Sequence, residues 1–135
     1  MSPRSKKRTV RRSAKQRTKK TARVSIRPRF RVLYDGEIAV GPGKASLLHA
    51  VSEHGSIRLA AEKLGMSYMR AWSLIRTMNR CFRQPLVEAI RGGSRKGGAK
   101  LTPTGIKVLD LYERLEKRSL QVTRPLWKQI SRLLK

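Results

Sequence analysis

A chain of 135 residues is about one domain with a single modest core, and it carries 33 Lys and Arg against 8 Asp and Glu, a net charge of +25. The first 31 residues hold fourteen of those basic side chains and none of the acids, a balance that suits a polyanion, nucleic acid first, because each neutralised phosphate releases a condensed counterion. No apolar run approaches the ~20 residues of a membrane-spanning helix, no apolar segment follows the basic start as in a secretion signal, and the lone Cys81 forms neither an intrachain disulfide nor, without a Cys/His cluster, a zinc site.

Residues 1–29 read as a basic arm, because repelling charges with so few apolar residues cannot bury a core. An anionic membrane surface is the rival partner for that charge, but the arm has almost no apolar payload to insert. Ordered structure is expected from Phe30. A strand over Phe30–Tyr34 turns at Asp35-Gly36 and returns as Glu37–Val40. Gly41-Pro42-Gly43 then admits a helix over Lys44–His54 with Leu47, Leu48 and Val51 on one face. Gly55 stops it, and Ser56 caps a second helix over Ile57–Leu64 with a buried stripe of Ile57, Ala60, Ala61 and Leu64.

Ala61 and Gly65 stand four apart around a turn, a small residue where two helices meet and then one that tolerates positive φ. Ser67 caps a third helix over Tyr68–Phe82. Ala71, Ile75, Met78 and Phe82 share its inner face, and Met69, Arg70, Ser73, Arg76, Thr77 and Arg80 its outer one. A short strand over Leu86–Ile90, a loop over Arg91–Lys100 and a second strand closed by Leu101 follow. Thr102-Pro103 opens a last helix to about Val122, with threonine as N-cap and proline at N1. Pro125 is expected to break or kink it, leaving a final amphipathic turn over Leu126–Leu134.

This order is mostly α with small β: a winged helix-turn-helix over 30–102, with an N-terminal hairpin and a long C-terminal dimerisation helix over 103–135. Such a domain enters a DNA major groove by the N-terminal end of its third helix. Ser67, Tyr68, Met69 and Arg70 then lie nearest the bases, with Arg70 suited to guanine O6 and N7 and with Tyr68 and Met69 suited to a thymine methyl. Ser73 and Arg76 lie further along and suit phosphates. Trp72 borders the buried stripe, open to core packing or to the DNA surface, and Tyr68 lies close enough to the buried side for partial core packing.

The glycine-rich loop does not fit a nucleotide-binding GxxxxGK[ST] motif and lacks its strand-then-helix context. As a wing it brings Arg91, Arg95, Lys96 and Lys100 to the sugar-phosphate backbone. On the last helix Val108, Tyr112, Leu115 and Val122 form one apolar stripe, and Ile106 and Leu109 a neighbouring one. Two stripes exceed what a small core needs, so the first is assigned to a homodimer contact, the other reading being that both pack within the monomer. His49 and His54 are five apart and share no helix face, Glu113 and Glu116 belong to a solvated face, and Cys81 beside Arg80 and Arg83 is either a depressed-pKa thiol or inert. Neither an enzyme nor a cofactor is indicated.

At these residues the chain resembles the N-terminal DNA-binding domain of the ModE family of molybdate-responsive repressors, a relative of the LysR-type winged helix. The resemblance covers Phe30 to Leu120 through GPGKASLLHAVSEHGSI (41–57), AAEKLGMSYMRAW (60–72), Met78-Asn79, PLVEAIRGGSRKGGAKLTPTG (85–105) and LDLYERL (109–115). It implies a homodimer held by the long fourth helix on a palindromic operator, recognition by Ser67–Ser73, and a wing at Gly92–Gly98. Family members continue into a pair of molybdate-binding β-barrel domains that have no counterpart before Lys135, so any sensor is expected to be a separate partner protein. The basic arm is a further departure from the family.

The function expected is that of a cytoplasmic, nucleoid-associated regulator binding double-stranded promoter DNA. Two alternatives stand beside it. One is a nucleoid-structuring protein of weak sequence choice, working as linker histones do. The other is an RNA-binding protein, disfavoured because A-form major grooves exclude side chains.

Overall fold

The computed structural model describes residues 23–91 and 97–135. Residues 23–31 are extended, and the first pairing is β1 (Val32–Tyr34) with β2 (Glu37–Val40). Asp35 and Gly36 both take positive φ in the turn between them, the tight-hairpin geometry that Asp-Gly favours. Then come α1 (Pro42–His54), α2 (Ile57–Leu64) and α3 (Tyr68–Cys81). A second antiparallel pair follows, β3 (Val87–Ile90) on β4 (Gly98–Leu101), and the chain closes with α4 (Pro103–Ser131). The fold is mostly α with two small two-stranded sheets.

The core is built from the expected faces. Leu47, Leu48 and Val51 of α1 are fully enclosed by Ile57, Ala60 and Ala61 of α2, by Ala71, Ile75 and Met78 of α3, by Leu86 just before β3, and by Val87, Ala99 and Leu101 of the second sheet. Two assignments are corrected. Leu64 is exposed at the rim of a groove between α1 and α4, and Phe82 is a half-buried C-cap in extended backbone rather than the last helical residue.

The second sheet and α4 are locked together at one close approach. Thr102 donates its backbone N–H to the Leu86 carbonyl at 2.9 Å and its hydroxyl to the Pro85 carbonyl at 2.6 Å, and the same hydroxyl accepts from Gly105 N–H at 3.0 Å. A Cβ on Gly105 would overlap the Leu86 carbonyl oxygen, so this position needs glycine for space.

Pro125 does not break α4, which runs unbroken for 29 residues, about 43 Å at 1.5 Å per residue. Proline removes the N–H that would serve the Gln121 carbonyl, but Gln121 is exposed and water can take that donor's place.

Candidate nucleic-acid interface

Side-chain caps position α3. Ser56 accepts from Leu59 N–H at 3.3 Å at the start of α2, and Ser67 from Arg70 N–H at 3.1 Å at the start of α3. Between them Gly65 sits at φ +66°, a conformation that costs other residues about 1–2 kcal/mol. Its N–H reaches Glu62 O, and Met66 N–H closes the turn on Ala61 O at 3.0 Å. Ala61 and Ala71 are buried side chains of minimal bulk in the cluster that joins the two helices.

Ser67, Tyr68, Met69, Arg70, Ser73 and Arg76 are all exposed, Met69 to 74%. No acidic residue occurs on α3. Tyr68 is not free on this surface. The Arg58 guanidinium of α2 lies 4.9 Å over its ring, and its edge meets Trp72 with centroids 6.2 Å apart. Trp72 itself is half-buried against the core. Arg58 therefore joins the candidate face. Sequence reasoning missed it because only the packing of α2 on α3 brings it to Tyr68.

The C-terminal end of α3 is structural. Arg80 pairs with Glu37 of the hairpin at 2.7 Å. Asn79 accepts from Leu86 N–H at 2.8 Å and donates to Val87 O at 3.1 Å, so its amide imitates a strand partner for β3. Cys81 is no activated thiol: burial and then the nearby Glu37 carboxylate push its pKa up.

The wing is rooted beside the helix-turn-helix. In register Val87 faces Leu101 and Ile90 faces Gly98, and Ala99 N–H donates to Gly55 O at 2.9 Å at the junction of α1 and α2. Arg91 is exposed at the end of β3. Lys100 is exposed with its ammonium 3.5 Å from Glu88, a pair that solvent and salt readily open. Arg95 and Lys96 lie outside the described residues.

The dimer stripe assigned to α4 is corrected in its first half. Tyr112 is buried within the monomer and donates its hydroxyl to Phe30 O at 2.8 Å, while Val108 packs on the same core. Ile106, placed in the core stripe, is 59% exposed. Exposed along α4 with it are Leu111, Leu115, Val122, Leu126 and Ile130.

His49 and His54 line one groove of about 420 Å³ with Glu53, His49 lying 2.9 Å from that carboxylate and 3.6 Å from Glu113. Five-residue spacing did not keep them apart. Among the described residues no three acidic, His or Cys side chains are grouped to hold a metal, and no helix is long and apolar enough to cross a membrane.

Comparison with known proteins adds to this geometry. The family described as "Bacterial regulatory helix-turn-helix protein, lysR family" matches residues 44–106. The "Molybdenum-pterin-binding protein MopA" of Rhodobacter capsulatus is 41% identical over 81 residues, 60% of this chain and 31% of that protein. The "DNA-binding transcriptional dual regulator ModE" of Escherichia coli is 40% identical over 74 residues, 55% of this chain and 28% of that one. The chain thus spans about three tenths of the length of these relatives. A crystal structure of a CbnR_DBD–DNA complex superposes with a TM-score of 0.49 at 24% identity, over 62% of this chain and 94% of that one. Residues 44–106 thus resemble a LysR-type regulatory helix-turn-helix, and this part of the chain is similar to the matching part of ModE and MopA.

Proposed function

We propose that this chain is a sequence-specific, DNA-binding transcriptional regulator that occupies promoter DNA as a homodimer on a palindromic site. The observation that carries this reading is α3 itself, a serine-capped helix without a carboxylate whose N-terminal end exposes Ser67, Tyr68, Met69 and Arg70 in a domain similar to that of ModE regulators. Arg70 reads a guanine, Met69 and the edge of Tyr68 meet a thymine methyl, and Ser73 and Arg76 hold phosphates. Arg91 and Lys100, with Arg95 and Lys96, bring the wing to the backbone. The exposed stripe through Leu115 and Val122 supports the dimer, and two copies related by a two-fold axis suit two half-sites.

Selection from random duplexes with the purified chain tests this. One palindrome should emerge, and Arg70→Ala should weaken it by about 1–3 kcal/mol more than it weakens random duplexes. The charge of +25 favours a second reading, nucleoid structuring with weak sequence choice. Equal binding of all duplexes, with no loss specific to Arg70, would replace the first reading by the second.

A further inference from the structure

Beside the recognition helix lies a cleft of about 290 Å³ with four cationic side chains and no acidic one. Arg29 and Arg31 enter it from the extended segment before β1, Lys44 from the first turn of α1, and Arg70 from α3. None of the four lies within ion-pair distance of a carboxylate among the described residues. Lys44 is the sharpest case. The residue is nine-tenths buried, and its ammonium donates to the Ile38 carbonyl at 2.5 Å. The Glu37 carboxylate, which acts on it from a distance, is engaged by Arg80. Burial lowers the Lys44 pKa, so the environment disfavours the charge and an arriving anion would relieve it.

The start of α1 adds to the same demand. Gly41 is its N-cap without a capping side chain, and a Cβ on Gly43 would meet nothing within 4 Å, so the first turn faces open space. Arg31 lies over this end: a Cβ on Gly41 would come 3.4 Å from its Cγ. Arg70 and Leu74, four apart on α3, with Met66 from the turn before it, put this wall of the cleft on the helix flank next to its outward face.

We propose that the Arg29–Arg31–Lys44–Arg70 cleft is an oxyanion site that seats a phosphate of the DNA backbone flanking the bases read by α3. A phosphodiester fits the donor set, one buried ammonium and three guanidiniums around an uncapped helix start. The shared wall through Arg70 ties the seat to the reading end of α3. The site thereby couples the hairpin side of the domain to the strand that α3 reads, and it carries position rather than sequence.

The proposal rests on the DNA-binding reading, and its test separates the two. Duplex affinity of the full chain is measured across a KCl series for wild type, for Arg29→Ala/Arg31→Ala, for Lys44→Met, and for Lys128→Ala/Lys135→Ala, matched in charge to the first variant. Arg29 and Arg31 are exposed, so the double variant keeps the fold even if Lys44→Met does not. A variant that neutralises one phosphate fewer should flatten the slope of log K against log salt by about 0.9, alike on specific and random duplexes, and the control should keep the wild-type slope. A free oxyanion is the other source of the same chemistry, so the Gly43 and Lys44 amide resonances are followed against inorganic phosphate at constant ionic strength. They should not saturate. Saturation that Arg29→Ala/Arg31→Ala abolishes, with an unchanged duplex slope, would assign the cleft to a free anion and overturn the DNA assignment. An unchanged slope without saturation, or equal flattening in the control, would remove the site altogether. A wild-type chain without duplex affinity would fail the functional reading itself, and this proposal with it.

Discussion

At Gly105 a methyl group has nowhere to go, because the Leu86 carbonyl oxygen occupies the space. Alanine in a helix is favoured over glycine by about 1 kcal/mol, and forced overlap in a packed site costs about 1–3 kcal/mol or more. Overlap with backbone oxygen rather than a movable side chain sits at the upper end, so Gly105→Ala should lower stability by a net of about 2 kcal/mol in urea unfolding. An unchanged midpoint would mean that α4 can slide away from Leu86. Tyr112 gives a second residue-scale prediction. Its pKa is raised above 10.0, by burial first and by Glu116 next, with Arg31 opposing. Its contribution to stability is therefore full below pH 10 and is lost as pH rises through the higher folded-state value. Tyr112→Phe should cost about 1 kcal/mol at neutral pH, because the hydrogen bond to Phe30 is removed. It should also show a shallower alkaline loss than wild type in unfolding midpoints followed past the ordinary tyrosine range.

At the scale of elements, α2, the turn and α3 follow their local chemistry, while α4 does not reveal which of its stripes is inward. Ser56, Gly65 and Ser67 act within one turn of themselves, so their roles are readable from neighbours alone. On α4 the inward stripe is chosen by what lands against it, here Phe30 and the core, and that choice takes Tyr112 and Val108 from the outer surface. Leu115 and Val122 remain outside, at 42% and 78% exposure. Burying a side chain of this size contributes about 1.5–3 kcal/mol. Leu115→Glu with Val122→Glu should therefore weaken self-association by at least about a hundredfold in sedimentation equilibrium, with the helical circular dichroism retained. Monomeric wild-type chain at high concentration would end the dimer reading.

For the whole molecule, charge and shape divide the work. Residues 1–22 lie outside the described residues and hold ten Lys and Arg. Deleting them should weaken every duplex by a similar factor and flatten the salt dependence by about 0.9 for each phosphate that the arm neutralises. The ratio of selected to random duplex should stay near the wild-type value, because the proposed reading surface lies on α3. Competition binding with both duplexes measures that ratio. Its collapse on deletion would place the specificity in the arm rather than on α3.

Much of this protein is decided within short stretches of sequence. The caps, the Asp-Gly hairpin turn, the apolar period of the first three helices and the +25 charge require only neighbours a few residues apart, and they foretell a winged helix-turn-helix on a polyanion. Other features exist only between distant segments. Glu37 meets Arg80 across 43 residues and Phe30 meets Tyr112 across 82, while Arg58 reaches Tyr68 only when α2 crosses α3. The cationic cleft likewise joins a coil, the start of α1 and the flank of α3. Hydrogen bonding and capping act over one turn of backbone, so sequence determines them. Which long side chains share a surface depends on how whole elements pack, and only the tertiary structure decides it.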